Sequence, residues 1–312
     1  MGNAKKFLDS FLLAYPEVST GNLNMKELDI LMAEHEHKIN SAPVDDFDGL
    51  SAFQMHNMLQ APFSAESILK YKEDIEQHVD KVPLFKLSEI LLEEIEKAGS
   101  LRLTRIGNLP THICELLFHQ RLITLQYEAY IKKIQEDNIA YLWPLKQYLL
   151  DCGIVKKRKN ALSLTKGGIR LLTAPKSERF DLLLRYMVTG FHWSNFYEDI
   201  DDDEGRIGRL GWQYSLALLA KYGDTPRKSD FYNFKLIRAF DTLLWDIYQE
   251  VKDNKFVKDY QYTYDARFFE NFANWFGLVN IERQKRRIPP YFEQLTITKS
   301  PLFDQIFEIK TW

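Results

Sequence analysis

Two distant segments of this chain repeat one short pattern, and the recurrence constrains the fold more than any other feature. The first segment begins with GIV at 153–155 and ends with LSLTKG at 162–167. The second begins with GLVNI at 277–281 and ends with LTIT at 295–298. In each, a glycine follows an amphipathic helix and precedes two short strand-like runs. Because the pattern occurs twice, it predicts a repeated unit of helix, β-hairpin and further helix.

The residues ahead of each hairpin predict a similar series of elements. The first hairpin is preceded by a helix at 83–97, a strand at 101–104, a helix that begins near Asn108 and Pro110, an insertion at 122–138 and a helix at 139–151. The second is preceded by helices at 208–222, 229–250 and 265–276. With these elements, residues 84–172 and 208–309 resemble the winged helix-turn-helix superfamily. The resemblance implies that each hairpin is a wing beside a nucleic-acid backbone.

The predicted fold class is mainly α with small β-hairpins, a helical N-terminal domain followed by two winged-helix-like units. The predicted domains are 1–80, 81–175 and 176–312. In the first of these domains, Ser51 and Gln54 predict a capping box at the start of a short helix. The whole chain also resembles uncharacterised bacterial proteins that share a stretch similar to LSAFQMHNMLQAPF, at 50–63, and that resemblance implies no activity.

Charge is distributed unevenly along the chain. The overall net charge is −3, but residues 1–98 hold 9 Lys and Arg against 18 Asp and Glu, so the rest carries a balance of +6. A mildly basic body is compatible with nucleic-acid contact, although dedicated nucleic-acid-binding domains are usually more basic. The same asymmetry is compatible with attraction between the two parts of the chain.

Cysteine use and hydropathy indicate a cytoplasmic protein. The two cysteines, Cys114 and Cys152, form no CxxC motif and fit free thiols in a reducing compartment. No apolar run is long enough to span a membrane, and the N-terminus lacks a signal-peptide core. We therefore expect no membrane association.

Cations are concentrated at both predicted hairpin tips. The first tip holds Lys156, Lys157, Arg158 and Lys159, and the second holds Arg283, Lys285, Arg286 and Arg287. Wing cations of this kind contact phosphates and supply affinity that is independent of base sequence. The competing structural interpretation is that charged residues at a strand edge only prevent unwanted strand pairing.

The helix before the second hairpin has a candidate base-reading face. Arg267, Asn271 and Asn274 fall at i, i+4 and i+7, which places them on one side of an α-helix. Arginine and asparagine side chains can pair with guanine and adenine edges. The corresponding helix of the first unit offers only Lys146 and Gln147 as candidate readers.

No motif for catalysis or metal binding rises above the background. His112, Glu115 and His119 share a helical stripe without a third histidine, and the acidic run 198–204 does not match a calcium loop. Phosphate-binding loops and nucleophile elbows are absent from the sequence.

We therefore expect a non-enzymatic nucleic-acid-binding protein without a metal or cofactor. Two alternatives remain at this stage, a protein-interaction or scaffold module built on winged helices and a metal-dependent enzyme acting on nucleic acid. The target and the oligomeric state stay open.

Overall fold

The computed structural model describes residues 3–20, 23–196, 205–240, 260–284 and 294–310. The chain forms two compact units, an N-terminal unit within residues 1–68 and a C-terminal unit of residues 69–310. The described residues are mainly helical, with small antiparallel sheets of two or three strands, as the sequence predicts. No described helix is long and apolar enough to cross a membrane.

The described residues of the N-terminal unit form three α-helices. They are α1 (Asn3–Ala14), α2 (Met25–Ser41) and α3 (Ala52–Gln60). Helix α3 begins with the predicted capping box. The Ser51 hydroxyl accepts a hydrogen bond from the backbone amide of Gln54, and the side-chain oxygen of Gln54 accepts one from the backbone amide of Ser51. Buried His35 of α2 lies 5.4 Å from the ring of Phe11 in α1, and its Nε2 atom lies 3.0 Å from the Ser10 hydroxyl.

The C-terminal unit contains two repeats of one series of elements. The first repeat consists of α4 (Pro83–Ala98), β2 (Leu101–Arg102), α5 (Thr111–Phe118), α6 (Leu142–Asp151), β3 (Val155–Arg158), β4 (Ala161–Leu164) and α7 (Lys166–Leu172). The second consists of α10 (Trp212–Tyr222), β5 (Arg227–Lys228), α11 (Ser229–Ala239), α12 (described over 260–275), β6 (Val279–Gln284), β7 (Gln294–Lys299) and α13 (Pro301–Ile306).

The remaining elements of this unit flank and connect the repeats. Among the described residues they include β1 (Leu69–Tyr71), which pairs with β8 (Phe307–Ile309), and the helices α8 (Lys176–Arg185) and α9 (Arg206–Arg209). The insertion between α5 and α6 contains only two single turns of 3-10 helix, Glu128–Tyr130 and Glu136–Asn138. The predicted helix 208–222 starts later, at Trp212, because Gly208 and Gly211 adopt positive φ angles.

Both repeats contain a three-stranded antiparallel sheet with one strand order and one register. The orders are β2-β4-β3 and β5-β7-β6, so the last strand lies in the middle each time. In the first sheet, Arg102 lies opposite Ala161, which lies opposite Arg158. In the second, Lys228 lies opposite Thr296, which lies opposite Glu282. Arg158 and Glu282 each follow the entry glycine by five residues, so the repetition extends to single residue positions.

A glycine turn connects the last helix of each repeat to its hairpin. Gly153 and Gly277 have φ angles of 65° and 68°, a left-handed conformation that favours glycine. The amides of Ile154 and Leu278 bond to the carbonyls of Leu149 and Ala273, which satisfies a carbonyl at each helix end.

The helix after each hairpin is bonded back to the same turn. The hydroxyl of Thr165, the N-cap residue of α7, donates to the carbonyl of Gly153 at 2.7 Å. The hydroxyl of Ser300, before α13, donates likewise to the carbonyl of Gly277. Each glycine carbonyl thereby holds the end of one helix against the start of the next.

Aromatic side chains fill the core of the C-terminal unit. The rings of buried Trp193 and Phe272 lie 5.3 Å apart. Tyr141, at the start of α6, meets Trp275 of α12 edge to face at 6.3 Å. Such ring contacts stabilise the core beyond the effect of the large apolar area that each ring buries. The contact between Tyr141 and Trp275 also links the third helices of the two repeats.

The two glycine turns provide a matched pair of substitutions. Gly153→Ala should lower the free energy of unfolding by about 1–2 kcal/mol, because its Cβ would meet open space and only the left-handed conformation is penalised. Gly277→Ala should lower it by about 1–3 kcal/mol more, since its Cβ would lie 2.8 Å from Cδ of Pro83. Urea unfolding of both variants measures the difference. Equal losses would contradict this account of Gly277.

Candidate nucleic-acid interface

The first hairpin has a minimal, ordered tip. Lys159 and Asn160 have φ angles of 48° and 57°, the pattern of a two-residue type I′ turn. The Asn160 side chain donates to the carbonyl of Thr104 at 2.6 Å. Lys156, Lys157 and Arg158 therefore lie along strand β3, not on a long loop, and with Lys159 they are exposed.

The register of the sheet brings a further cation into line with them. Arg102 of β2, Ala161 of β4 and Arg158 of β3 form one row across the sheet, so their side chains point to the same face. Lys156 shares that face, since it lies two residues from Arg158. The outer face of this sheet thus presents three cations separated by small residues.

Lys157 points to the opposite face, where its ammonium group lies over the turn at Gly107. A Cβ atom placed on Gly107 would be 2.8 Å from Nζ of Lys157. Exposed Arg105 belongs to the same turn. We call Arg102, Arg105, Lys156, Lys157, Arg158 and Lys159 the first-sheet cations. Sequence reasoning missed Arg102 and Arg105, although the alternation in LRLT already places Arg102 on the polar side of a strand.

The first-sheet cations are available for an external partner. Across the parts of the chain that the structure describes, none of the six forms an ion pair. All six are exposed. A set of adjacent, solvated cations without intramolecular partners creates a positive potential that attracts polyanions.

The corresponding face of the second sheet differs in charge. Its rows contain Lys228, Thr296 and Glu282 in one and Asn280 and Thr298 in the next. Lysine and glutamate offset one another there, so the described residues of this face carry no excess of positive charge. The predicted tip residues Lys285, Arg286 and Arg287 lie outside the described residues.

The prediction that Arg267 belongs to a base-reading face of α12 is wrong, because its side chain is fully buried. The prediction assumed 3.6 residues per turn, but Asp265–Ala273 is a π-helix, in which bonds run from i to i+5 and the i, i+4, i+7 stripe no longer forms one face. Asn271 donates to the carbonyl of Phe196 at 3.4 Å, and Asn274 donates to the carbonyl of Thr124 at 3.1 Å. Both amides therefore serve contacts within the protein.

Arg283, at the end of the second hairpin's first strand, also has an internal partner. Its guanidinium group donates to Oε1 of Glu270 through Nε at 3.2 Å and through Nη2 at 3.1 Å. The side chain is mostly buried, with 21% of its area exposed. Arg283 thus ties β6 to α12, and its charge is already matched.

The candidate reader of the first repeat, Lys146, is likewise internal. It is buried in α6 and donates to Oε1 of buried Glu136 and to the carbonyl of Gly107 at 3.0 Å. The other carboxylate oxygen of Glu136 accepts the amide of Leu109 at 2.7 Å. The pair therefore connects helix α6 to the turn that contains Arg105. Lys146 holds this surface in place and is not itself exposed to a nucleic acid.

Loss of one member of this buried pair should be strongly destabilising. Lys146→Met leaves the Glu136 carboxylate buried without its cation and should lower the free energy of unfolding by about 3–5 kcal/mol. The double variant Glu136→Gln, Lys146→Met removes both charges and should be more stable than the single variant. Urea titrations of the three proteins measure this. A single variant as stable as the unmodified chain would refute the role of the pair.

A second polar cluster lies at the start of the π-helical segment. Asp265 accepts the Ser229 hydroxyl at 2.6 Å and the Asn233 amide at 3.0 Å, which connects α12 to α11. Burial raises the pKa of the Asp265 carboxyl from 3.8 to about 8, and the two hydrogen bonds only partly oppose that rise. The folded protein therefore binds a proton here at pH values where the unfolded chain does not.

This pKa shift has a defined effect on stability. Between about pH 4 and pH 8 the folded state retains a proton on Asp265 that the unfolded state has lost, so this residue makes stability fall as pH rises, by up to about 1.4 kcal/mol per pH unit. Above pH 8 its contribution levels off. Asp265→Asn should remove this slope, which urea midpoints from pH 5 to 9 would detect. Parallel curves for the two proteins would contradict the shift.

The other candidates from the sequence do not assemble into a site. His112, Glu115 and His119 are exposed at helix α5, and the described residues contain no group of three or more His, Cys, Asp or Glu side chains that could hold a metal ion. Cys114 and Cys152 are free thiols. The acidic run 198–204 lies outside the described residues.

Comparisons of this chain with protein-family models, with curated proteins and with solved structures find no match.

Proposed function

We propose that this chain is a non-enzymatic, cytoplasmic protein that binds nucleic acid through winged-helix-like units. The first hairpin acts as the main contact in this proposal. The observation that carries it is the set of six first-sheet cations, exposed and without ion pairs among the described residues. Polyanion backbones are the natural partner of such a set.

The repeated series of elements supports the winged-helix part of the proposal. Each repeat has the helix, short strand, two helices and hairpin that the resemblance implies, and each sheet has its last strand in the middle. The free thiols of Cys114 and Cys152 support a reducing compartment.

Binding of this kind depends on phosphates and not on base sequence. Neither α6 nor the described part of α12 presents an exposed lysine or arginine, since Lys146 and Arg267 are buried. Without such side chains the helices lack the most frequent contacts to base edges. Affinity should then come from the backbone charge, fall steeply with salt and vary little with sequence.

Removing the hairpin cations tests the proposal directly. The variant Lys156→Gln, Lys157→Gln, Arg158→Gln, Lys159→Gln should bind nucleic acid about tenfold or more weakly at low salt, because its phosphate contacts are lost. The slope of log affinity against log salt concentration should fall by up to about 3. Fluorescence anisotropy with labelled oligonucleotides at several salt concentrations measures both.

A matched variant controls for net charge. Lys5, Lys6, Lys26 and Lys38 are four exposed lysines of the N-terminal unit, and changing all four to Gln removes the same formal charge. This control should retain the affinity and the salt dependence of the unmodified chain. If both quadruple variants bind alike, the hairpin cations serve only to protect the edge strand β3, and the proposed interface is wrong.

A second candidate function, docking of another protein, has its own supporting observation. Helices α1 and α2 expose large apolar side chains, including Leu13 at 84%, Met25 at 73% and Ile30 at 58%. If such side chains form one contiguous patch, that patch has the character of a protein-binding surface. Failure of the intact chain to bind any nucleic acid at low salt would leave this function as the better proposal.

A further inference from the structure

The insertion between α5 and α6 forms an open groove with a volume of about 540 Å³. The sequence predicts an insertion here, at 122–138, and no motif assigns a role to it. The groove is lined chiefly by two aromatic residues, two cations and two short polar residues: Tyr127, Tyr130, Lys132, Lys133, Asp137 and Asn138.

The two tyrosine rings are presented differently from the aromatic core. Tyr130 is 79% exposed and Tyr127 is 39% exposed. The oxygen of Tyr127 accepts the amide of Ala140 at 3.0 Å, which fixes that ring at the groove wall. Exposed rings beside cations are the stacking platforms that single-stranded nucleic acid uses, because every base has an aromatic face.

The charge of the groove favours an anionic occupant. Lys132 and Lys133 are exposed and form no ion pair with any residue that the structure describes. The one acidic residue of the lining, Asp137, accepts from Asn108 through both carboxylate oxygens at 2.9 Å. The lining therefore has one more positive than negative charge, and its carboxylate is engaged by a neutral donor.

The groove lies next to the first-sheet cations. Asn108, which bonds to Asp137, follows Gly107, over which the ammonium group of Lys157 lies. Glu136, the neighbour of Asp137, is joined through Lys146 to the same turn. A chain of contacts thus connects the groove to the first hairpin.

We propose that this groove holds unpaired bases of a single-stranded nucleic acid whose backbone crosses the first-sheet cations. This inference rests on the proposed function and specifies its ligand class. In a duplex the bases are stacked on one another inside the helix, so their faces cannot reach Tyr130. A single strand can turn one or more bases onto the exposed rings while its phosphates meet Lys132, Lys133 and the hairpin.

Substitution of the exposed ring tests the inference. Tyr130→Ala should weaken binding of labelled oligo(dT) about tenfold, within the range measured for loss of one stacking platform. Tyr130→Phe keeps the aromatic face and should bind like the unmodified chain. Binding of a duplex DNA of the same length should be equal for all three proteins, because that ligand uses the hairpin cations alone. Oligo(rU) in parallel distinguishes RNA from DNA as the source of the strand.

The outcomes separate this inference from the proposed function. If oligo(dT), oligo(rU) and duplex all fail to bind the intact chain at low salt, both fall. If they bind, and the four-fold hairpin variant weakens them while Tyr130→Ala does not, the proposed function holds and the groove inference is overturned. The groove would then be a surface for another ligand class, such as a protein segment.

Discussion

The carbonyl of one glycine in each repeat links the elements on which the C-terminal unit depends. At Gly153 and Gly277 the chain leaves a helix in a left-handed turn, enters a hairpin, and returns so that a hydroxyl at the next helix start bonds to that carbonyl. Three elements then have fixed relative directions without a long connecting loop. The register of each sheet follows, because the first and last residues of the hairpin are set by the same turn. The arrangement of the first-sheet cations is a consequence of that register.

One frame supports two different surfaces. The row that presents Arg102 and Arg158 in the first sheet presents Lys228 and Glu282 in the second. In the second repeat Asn271 and Asn274 of α12 bond within the protein, and Arg283 pairs with Glu270. Only the first sheet therefore combines positive charge with the absence of ion pairs among described residues. A duplicated architecture does not imply a duplicated function, since function depends on the particular side chains at the surface.

The parts of this structure that depend on residues close together in the sequence could be predicted from the sequence. The parts that depend on contacts between distant residues could not. The capping box at Ser51 and Gln54 and the glycine turns arise from residues within a few positions of each other, and each hairpin joins two strands that follow one another in the sequence. Lys146 was misassigned because its partner Glu136 lies in an insertion without periodicity. Arg267 was misassigned because a π-helix changes which residues share a face. The position of Arg102 beside Arg158 depends on the strand order, which the sequence does not show. Tyr127 and Tyr130 lie in an insertion without helical or strand periodicity, so the sequence does not predict where their rings lie.

The two-residue turn at Lys159 and Asn160 determines how the first hairpin can respond to a ligand. A long wing is often free in solution and loses conformational entropy of about 1–2 kcal/mol per residue when it becomes ordered. Here the backbone is already held by the β-ladder and by the bond from Asn160 to Thr104. When these side chains contact a ligand, only their rotamers lose conformational entropy. The hairpin therefore presents its cations on a backbone that is already ordered before binding.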